Sequence, residues 1–472
     1  MKILKCDLCI IGGGAGGLSV AAGAAQLGKK VVLIEGKHMG GDCLHSGCVP
    51  SKALLAAAKV AATCRQAKRF GIEVTAPSVD IKKVMQHVQG VINQIKVHDS
   101  VERFEGLGVT VIQKAASFVD TKTVKAEEYL VKARDTVIAT GSSANVPPIS
   151  GLESVNYFTN ENIFSLTENP KHLLVIGGGP IGIELAQAFL LLGIKVTLLE
   201  VNKILPRDDE ELVGILKNEL LQQGLNLFEG VQINQVGMKG KQVKIQFEHA
   251  GVQQEVTGSH LLVATGRKPN VEHLNLDAAG IAYTPRGITV DERLRTSQKR
   301  IYAIGDVVGP YQFTHMAGYH AGVVIRNIVF KLPARVRYNA VPWVTYTDPE
   351  LAHVGLLLSE AQKADPLAKV VSFDFADNDR AQAEKTSVGK INVILSKKAE
   401  VLGVSILGPH AGELLLPWME LVAKQKSLEK FNEIIVPYPT LSEVAKQVTG
   451  EYYKPVLFSK KVKALVRFLG WF

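Results

Sequence analysis

A glycine-rich pattern that occurs twice constrains the fold of this chain more than any other feature. In each copy an apolar stretch is followed by a glycine turn and a second apolar stretch. A third apolar stretch then follows, and it ends in a glutamate. The glycines are Gly12, Gly14 and Gly17 in the first copy and Gly177, Gly179 and Gly182 in the second. The glutamates, Glu35 and Glu200, each lie 23 residues after the first glycine of their copy. This order of strand, turn, helix, strand and acid predicts two Rossmann-type units.

The residue types of this pattern suit a dinucleotide. The first glycine permits the tight turn, the second lets the backbone approach a pyrophosphate, and the third lets the helix pack on the strand. Each glutamate can bind the hydroxyls of an adenosine ribose. An Ala-Thr-Gly motif follows each copy, with Thr140 and Gly141 after the first and Gly266 after the second, and we assign both motifs to the same sites. Two units predict two dinucleotides, and hydride chemistry is the natural reason to combine them.

Two cysteines follow the first unit closely. Pro50 and an Ala/Leu-rich run after Cys48 predict a helix that begins at or just after this cysteine. The positive end of a helix stabilises a thiolate and lowers the pKa of the thiol, so Cys43 and Cys48 are predicted to be a redox-active disulfide. The alternatives are two small packing residues or half of a zinc site. Only His38 and His45 lie close enough to complete such a site, and no metal site is predicted.

Length and composition are those of a multidomain globular protein. The chain has 472 residues, of which 46% are hydrophobic and 21% charged, and a length of this kind suggests about two to four domains. Five cysteines are too few for a disulfide scaffold, and no secretion signal is expected at the N-terminus, so a cytoplasmic protein is predicted. The net charge is +9, but five basic and no acidic residues lie between Lys454 and Phe472. Nucleic-acid binding is therefore not indicated.

Taken together, these motifs resemble the flavin-dependent pyridine nucleotide–disulfide oxidoreductases of the dihydrolipoamide dehydrogenase, glutathione reductase and mercuric reductase group. The resemblance covers about residues 5 to 450. The run from Arg300 to Asp306 matches the second flavin motif of that group, and two later runs match its dimerisation domain, Tyr346 to Glu350 and Gly403 to Gly408. The resemblance implies an α/β fold with two Rossmann-like dinucleotide-binding domains, for FAD and NAD, and a C-terminal α+β dimerisation domain. It also implies a homodimer.

The domain boundaries follow from the same resemblance. The first part of the FAD-binding domain is expected over 1–150 and the NAD(P)-binding domain over 151–275. The chain then returns to the FAD-binding domain over 276–335. The dimerisation domain is expected over 338–455, and a basic amphipathic tail over 456–472.

The resemblance further assigns roles to individual residues. Asp306 would hold the ribityl chain of FAD, and Lys52 and Glu184 would form the ion pair that flanks the flavin beside the nicotinamide. Electrons would pass from NADH through the flavin to Cys48, the charge-transfer thiol, and then through Cys43, the interchange thiol, to a small-molecule acceptor.

Cofactor choice depends on the second glutamate. The carboxylate of Glu200 accepts hydrogen bonds from a free 2′-hydroxyl and repels a 2′-phosphate, so NADH is predicted to be preferred over NADPH. Lys203 follows shortly in the sequence and would weaken this preference.

The C-terminal segment departs from the disulfide-reducing members of the group. They carry a histidine before Pro-Thr, with a glutamate behind it, and this histidine serves the partner subunit as general acid and base. Tyr438 takes its place here, and a phenol with a pKa near 10 is a poor base at neutral pH. Tyr438 either faces the substrate or packs at the dimer interface. Glu443 either takes part in catalysis or caps a helix that starts at Thr440.

A tyrosine at this position resembles mercuric reductase. Those enzymes typically end in a vicinal cysteine pair, whereas the cysteines of this chain stop at Cys64. Three interpretations follow: a mercuric-reductase-like enzyme with an undetermined acceptor, a dihydrolipoamide dehydrogenase, or a membrane-tethered redox sensor with little turnover.

The tail has the pattern of a short amphipathic helix. Its apolar residues recur at helical spacing opposite four basic ones, and Trp471 and Phe472 follow. The apolar residues are Phe458, Val462, Leu465, Val466 and Leu469. The helix either makes peripheral contact with the inner face of a membrane or packs on its own dimer.

Overall fold

The structure is a computed structural model that describes residues 1–470. The chain forms two compact units. Unit 1 contains Met1–Asn202 and Asn226–Arg337, and unit 2 contains Lys203–Leu225 together with the chain from Tyr338 onward.

The first half of unit 1 is a mixed sheet covered by helices. Its elements are β1 (Lys2–Ile11), α1 (Ala15–Gln26), β2 (Val31–Ile34), α2 (Gly41–His45), α3 (Cys48–Gln66), α4 (Ile81–Lys96), α5 (Val101–Gly106), β3 (Val109–Ile112), β4 (Ser117–Phe118), β5 (Thr123–Ala126) and β6 (Tyr129–Ile138). The strand order is β3-β2-β1-β6-β5-β4. Strands β3, β2, β1 and β6 run parallel, and β5 and β4 continue the sheet antiparallel. Strand β2 is buried along its whole length, as expected of a parallel strand covered on both faces.

The second half of unit 1 repeats this design. Its elements are β7 (Ser142–Ala144), β8 (His172–Ile176), α6 (Pro180–Leu191), β9 (Lys195–Glu200), β10 (Asn226–Glu229), β11 (Gln232–Lys239), β12 (Gln242–His249), β13 (Val252–Gly258), β14 (His260–Val263), β15 (Arg267–Pro269), β16 (Tyr283–Thr284), β17 (Gly287–Ile288), β18 (Ile301–Ala303) and α8 (Thr314–Ile328). Strands β10-β9-β8-β14 form a parallel sheet, and β11-β12-β13 form an antiparallel one. Strand β18 pairs in parallel with β6, so the chain returns to the first sheet. The predicted pair of Rossmann-like domains is confirmed.

Unit 2 is built on an antiparallel sheet of order β19-β20-β23-β22-β21. Its elements are α7 (Glu210–Gln222), β19 (Pro342–Thr345), β20 (Glu350–Gly355), α9 (Leu358–Ala364), β21 (Lys369–Asp374), α10 (Asp379–Glu384), β22 (Lys390–Leu395), β23 (Val401–Gly408), α11 (Ala411–Leu414), α12 (Leu416–Lys424), α13 (Glu443–Leu457) and α14 (Lys460–Leu469). Phe375 and Trp418 are fully buried in its core, where Val444 and Val448 of α13 join them. The predicted α+β character of this part is confirmed.

The predicted tail helix is present as α14. Phe458 lies before it, as the C-cap residue that follows α13, while Trp471 and Phe472 fall outside the described residues. Among residues 1–470, no helix combines the length and apolar character needed to cross a bilayer.

Candidate functional site

The two cysteines of the predicted redox pair lie at the junction of α2 and α3. Cys43 lies within α2, and α3 begins at Cys48, as the sequence predicts. Gly47 provides no side-chain cap for α3, and no acidic residue lies in its first turn. The positive end of the helix dipole therefore acts on Cys48 without a competing negative charge from its own first turn. Both cysteines are free thiols in this structure.

The two thiols have very different pKa values, so one of them loses its proton well before the other. A hydrogen bond from Cys43 lowers the pKa of Cys48 to about 6, with further help from the hydroxyl of Thr314 and the charge of Lys52. The same hydrogen bond, together with burial, raises the pKa of Cys43. The Oγ1 of Thr314 lies 3.5 Å from the Sγ of Cys48. In the reduced pair at neutral pH, Cys48 thus carries the negative charge and Cys43 keeps the proton.

The expected ion pair beside the thiols is present. The Nζ of Lys52, one turn after Cys48 on α3, lies 2.7 Å from Oε2 of Glu184 on α6. Only 6% of the Glu184 side chain is exposed. A partly buried pair of this kind holds a fixed geometry, and it places a positive charge close to the Cys48 sulfur.

The two glutamates of the glycine patterns have matching environments. The backbone N–H of Gly13 donates to Oε2 of Glu35 at 2.5 Å, and that of Gly178 donates to Oε2 of Glu200 at 2.6 Å. The other oxygen of each carboxylate accepts a backbone N–H two residues further on. Each carboxylate is therefore fixed beside its glycine turn.

The glycine turns fit a dinucleotide. Gly177 has a φ of +112°, and a Cβ there would lie 2.4 Å from the carbonyl oxygen of Ala264. A Cβ on Gly182 would lie 2.0 Å from the carbonyl oxygen of Gly177, so the helix and the strand pack too closely for a side chain. Beside Gly179 there is open space. Helix α6 starts after Gly179 with no side-chain cap, which leaves its first N–H groups for a pyrophosphate.

The first copy has the same geometry. Gly12 has a φ of +111°, and a Cβ on Gly17 would lie 1.9 Å from the carbonyl oxygen of Gly12. Helix α1 likewise follows Gly14 without a side-chain cap. Both copies can therefore accept a dinucleotide phosphate at a helix N-terminus.

The Ala-Thr-Gly motifs hold the segments that link the two halves of unit 1. The hydroxyl of Thr140 donates to the carbonyl of Asn270 at 2.8 Å, and the carbonyl of Gly141 accepts the N–H of Asn270 at 2.9 Å. After the second copy, the carbonyl of Gly266 accepts the N–H of Asn145 at 2.9 Å. These residues shape the turns beside the nucleotide sites.

Asp306 lies in a turn that buried groups hold in place. Its carboxylate accepts the hydroxyl of Ser142 at 2.5 Å, and burial raises its pKa. The preceding N–H, that of Gly305, donates to Nδ1 of the buried His320 at 3.1 Å. Burial lowers the pKa of His320 to about 4, so this imidazole is neutral at neutral pH and can accept that hydrogen bond.

Arg267 connects the segment before Cys43 with the Ser142 and Asp306 segments, a role that the sequence did not reveal. Its guanidinium lies 2.9 Å from Oδ2 of Asp42, donates to both oxygens of Ser142 at 2.8 Å, and lies 3.9 Å from Asp306. Asp42 directly precedes Cys43 and also accepts the hydroxyl of Ser46 at 2.6 Å. One signal in the sequence was a charged residue placed directly after the second Ala-Thr-Gly motif.

Tyr438 and Glu443 belong to unit 2. The hydroxyl of Tyr438 donates to Oδ2 of Asp379 at 2.9 Å, and this carboxylate raises the pKa of the phenol. The Tyr438 side chain is 70% exposed. Glu443 accepts the N–H of Thr440 at 3.4 Å, which is half of the predicted capping box. Helix α13 begins at Glu443, so the predicted helix start at Thr440 is wrong.

Fold and site define a disulfide oxidoreductase with two dinucleotide sites, and the comparisons with known proteins agree. The family of pyridine nucleotide-disulphide oxidoreductases matches residues 6–321, and the dimerisation domain of the same family matches residues 341–449. The chain therefore belongs to the pyridine nucleotide-disulphide oxidoreductases. The second match supports the predicted homodimer.

Similar proteins include two kinds of enzyme. A mercuric reductase of Staphylococcus aureus is 33% identical over 454 residues, which cover 95% of this chain and 83% of that protein. A dihydrolipoyl dehydrogenase of Geobacillus stearothermophilus is 33% identical over 458 residues, which cover 94% of this chain and 95% of that protein. Among solved structures, the Cu(II) complex of the HOCl-induced flavoprotein disulfide reductase RclA from Escherichia coli has a TM-score of 0.85 at 26% identity. The match covers 94% of this chain and 99% of that one.

Proposed function

We propose that this enzyme oxidises NADH and passes the two electrons through the Cys43–Cys48 pair to a small-molecule acceptor other than lipoamide. FAD, when bound, accepts the hydride of the nicotinamide and delivers its electrons to the neighbouring disulfide. The observation that supports this function most strongly is the placement of the thiol pair: Cys48 begins α3, and Cys43 lies within hydrogen-bond reach of it. Lys52, paired with Glu184, lies one turn further along α3, and this placement lowers the pKa of Cys48.

The residues that would hold the two dinucleotides are those of the two repeated patterns. For FAD they are Gly12, Gly14, Gly17, Glu35, Thr140, Gly141 and Asp306, and for NADH they are Gly177, Gly179, Gly182, Glu200 and Gly266. Lys52 and Glu184 would lie between the two groups and keep a fixed positive charge near the sulfur of Cys48.

The thiol pair would perform the exchange without an external base. The two electrons and one proton of a hydride equivalent break the S–S bond; in the reduced pair the proton resides on Cys43, and Cys48 remains a thiolate because its pKa is low. When Cys43 attacks an acceptor, its proton passes to Cys48 along the existing hydrogen bond. Cys48 then gives up this proton and attacks the Cys43 sulfur, so that the S–S bond re-forms and the acceptor leaves with the two electrons. The thiol pair can therefore exchange electrons with an acceptor although Tyr438 replaces the basic histidine of the disulfide-reducing relatives.

We propose a preference for NADH from the environment of Glu200. Two backbone N–H groups hold its carboxylate beside the glycine turn, where it would face the adenosine ribose. The amine of Lys203 lies 2.5 Å from Oε1 of Glu210. Because Lys203 already has this carboxylate as a partner, its attraction to a 2′-phosphate is reduced.

The acceptors that we propose are metal ions and quinones. One relative is named mercuric reductase and the structure of another is a Cu(II) complex, so metal ions are candidate acceptors here. A quinone is a second candidate, since its reduction needs no basic side chain to deprotonate a substrate thiol. Lipoamide is disfavoured because Tyr438 is a poor base.

Anaerobic reduction with one equivalent of NADH, followed by a panel of acceptors, tests this function. The panel contains lipoamide, glutathione disulfide, Hg(II) with excess thiol, and a short-chain quinone. We expect rapid reoxidation by Hg(II) or the quinone and slow reoxidation by lipoamide. Rapid reoxidation by lipoamide would instead identify a dihydrolipoamide dehydrogenase that tolerates Tyr438.

The matched control is Cys43→Ser. This variant cannot form the Cys43–Cys48 disulfide, so NADH reduces only the bound FAD, and the thiol that meets the acceptor is lost. If Cys43→Ser is reoxidised as fast as the unaltered enzyme, electrons reach the acceptor without the pair and the proposed route is wrong.

A further inference from the structure

The C-terminal helix α14 presents an apolar face that its own chain leaves uncovered. Its start is well defined, because the hydroxyl of Ser459 accepts the N–H of Val462 at 3.3 Å as an N-cap. No residue of α14 is buried. The exposed large apolar residues in and just before it are Val456, Leu457, Phe458, Leu465, Val466, Phe468 and Leu469, each at least 54% exposed. We call this set the tail surface.

The charge around the tail surface has one sign. Lys460, Lys461, Lys463 and Arg467 lie on α14, and no acidic residue occurs from Lys454 to the end of the chain. The nearest carboxylate before this stretch, Glu451, is already paired with Lys454. The apolar residues at 462, 465, 466 and 469 share one helix face, and the basic residues flank it.

We propose that the tail surface docks the enzyme on an anionic lipid surface. A helix of this type lies in the plane of the interface, with its apolar residues among the acyl chains and its basic residues at the headgroups. A second copy of the chain fits less well, because a two-fold contact through this face would bring the same positive side chains together. Nucleic acid would satisfy the charge and leave the apolar face in water.

Dimerisation provides the affinity that one short helix lacks. Helix α14 has 10 residues and a single such helix binds membranes weakly. The family dimerisation domain places two copies in one particle, so the second helix binds at a high effective concentration once the first has docked.

Sedimentation with lipid vesicles tests the proposal. Purified full-length holoenzyme is mixed with vesicles of phosphatidylcholine alone or with added phosphatidylglycerol, at low and high salt. We expect about tenfold or more greater binding to the anionic vesicles, and a loss of this difference at high salt as the charges are screened. Equal binding to both vesicle types, or to neither, would overturn the proposal.

Two variants separate the apolar and the charged contributions. Leu465→Ser with Leu469→Ser removes the apolar face without adding a charge, and replacement of the four basic residues of α14 by Gln removes the charge. Each is expected to lower binding to anionic vesicles by about tenfold or more. The control is Val252→Asp, which changes a 60% exposed valine on β13 and should bind like the unaltered enzyme. NADH-dependent turnover in solution should be unchanged in all three, which shows that they fold.

The same variants distinguish the competing occupants. If Leu465→Ser with Leu469→Ser dissociates the dimer in sedimentation analysis, the tail surface is a contact between copies and the proposal fails. It also fails if the enzyme binds duplex DNA as tightly as anionic vesicles and this apolar double variant binds the DNA equally well. A retained dimer with lost vesicle binding supports the lipid surface.

Discussion

The hydroxyl of Tyr438 donates a 2.9 Å hydrogen bond to the carboxylate of Asp379. Asp379 is the first residue of α10, and Asn378 before it donates through its side-chain amide to the carbonyl of Thr440 at 3.2 Å. The α10 start and the Tyr438 segment are therefore tied together at two points. The resemblance predicts a role for Glu443 behind this position, but the carboxylate that contacts the Tyr438 hydroxyl is that of Asp379.

This pair predicts a specific effect on the phenol. Because Asp379 raises the pKa of Tyr438, Asp379→Asn should lower it, and a tyrosine absorbance transition at 295 nm should move to lower pH. The double variant Asp379→Asn with Tyr438→Phe identifies the transition, which should then disappear. An unchanged titration in Asp379→Asn would show that the hydrogen bond does not form in solution.

Tyr438→Phe should slow the reoxidation of the enzyme by its acceptor and leave its reduction by NADH unchanged. It removes the hydroxyl while keeping the ring, so reduction by NADH should stay as fast as in the unaltered enzyme. Reoxidation by the preferred acceptor should slow by about tenfold, the usual size of one lost hydrogen bond to a reacting group. Stopped-flow measurement of the two half-reactions separates them, and equal slowing of both would contradict a role at the acceptor.

The reduced thiol pair should titrate near pH 6. Thiolate absorbance at 240 nm should appear with an apparent pKa of about 6, well below the ordinary value of a cysteine. Cys48→Ser should abolish this transition. Cys43→Ala should shift it to higher pH, because it removes the hydrogen bond from Cys43, which is the largest cause of the low pKa. A transition that survives in Cys48→Ser would reverse the roles of the two thiols.

Glu200 should control the choice of nucleotide. Glu200→Ala removes the carboxylate that would repel a 2′-phosphate, so the ratio of kcat/KM for NADPH to that for NADH should rise by about tenfold or more. The matched control is Glu35→Ala in the other copy, measured per bound flavin, which should lower flavin content and leave this ratio unchanged. Comparable efficiency with both nucleotides in the unaltered enzyme would refute the preference.

The second glycine turn offers a test that separates folding from binding. A Cβ at Gly179 meets open space, so Gly179→Ala should fold normally while its methyl group hinders the pyrophosphate, and the KM for NADH should rise by about tenfold. Gly182→Ala places a Cβ 2.0 Å from the Gly177 carbonyl oxygen and should lower the melting temperature. Gly214→Ala, a change in open space on α7, is the control for both. An unaltered KM in Gly179→Ala would exclude a nucleotide at this turn.

The parts of the site that the sequence predicted are those encoded by short-range patterns. The glycines and the acid of each Rossmann-like unit lie within one strand–helix–strand run, and the start of α3 follows from Pro50 close to Cys48. Such features depend on local backbone geometry, which neighbouring residues set. The Lys52–Glu184 pair was reached only through the resemblance, because 132 residues separate its members.

The parts that the sequence did not reveal are contacts across the fold. Thr314 lies 266 residues after Cys48, and Asp379 lies 59 residues before Tyr438. Arg267 and Asp42 meet only because both halves of unit 1 bring their turns to one place. The start of α13 was misplaced for another reason: the Thr440–Glu443 contact forms as predicted, but the turn that contains it is not yet helical.

His320 should make the stability of the enzyme depend on pH. Its pKa falls from 6.5 in the unfolded chain to about 4 in the fold because it is buried. Between these values the unfolded chain binds a proton that the folded protein does not, so stability should fall as the pH is lowered from 6.5 towards 4. His320→Gln has no titrating group, so its stability should fall by about 2 kcal/mol less than that of the unaltered protein between about pH 7.5 and pH 5. Urea unfolding at both pH values measures this, with the exposed His87→Gln as a control that should behave like the unaltered protein. The same pH dependence in His320→Gln would show that other groups cause the loss.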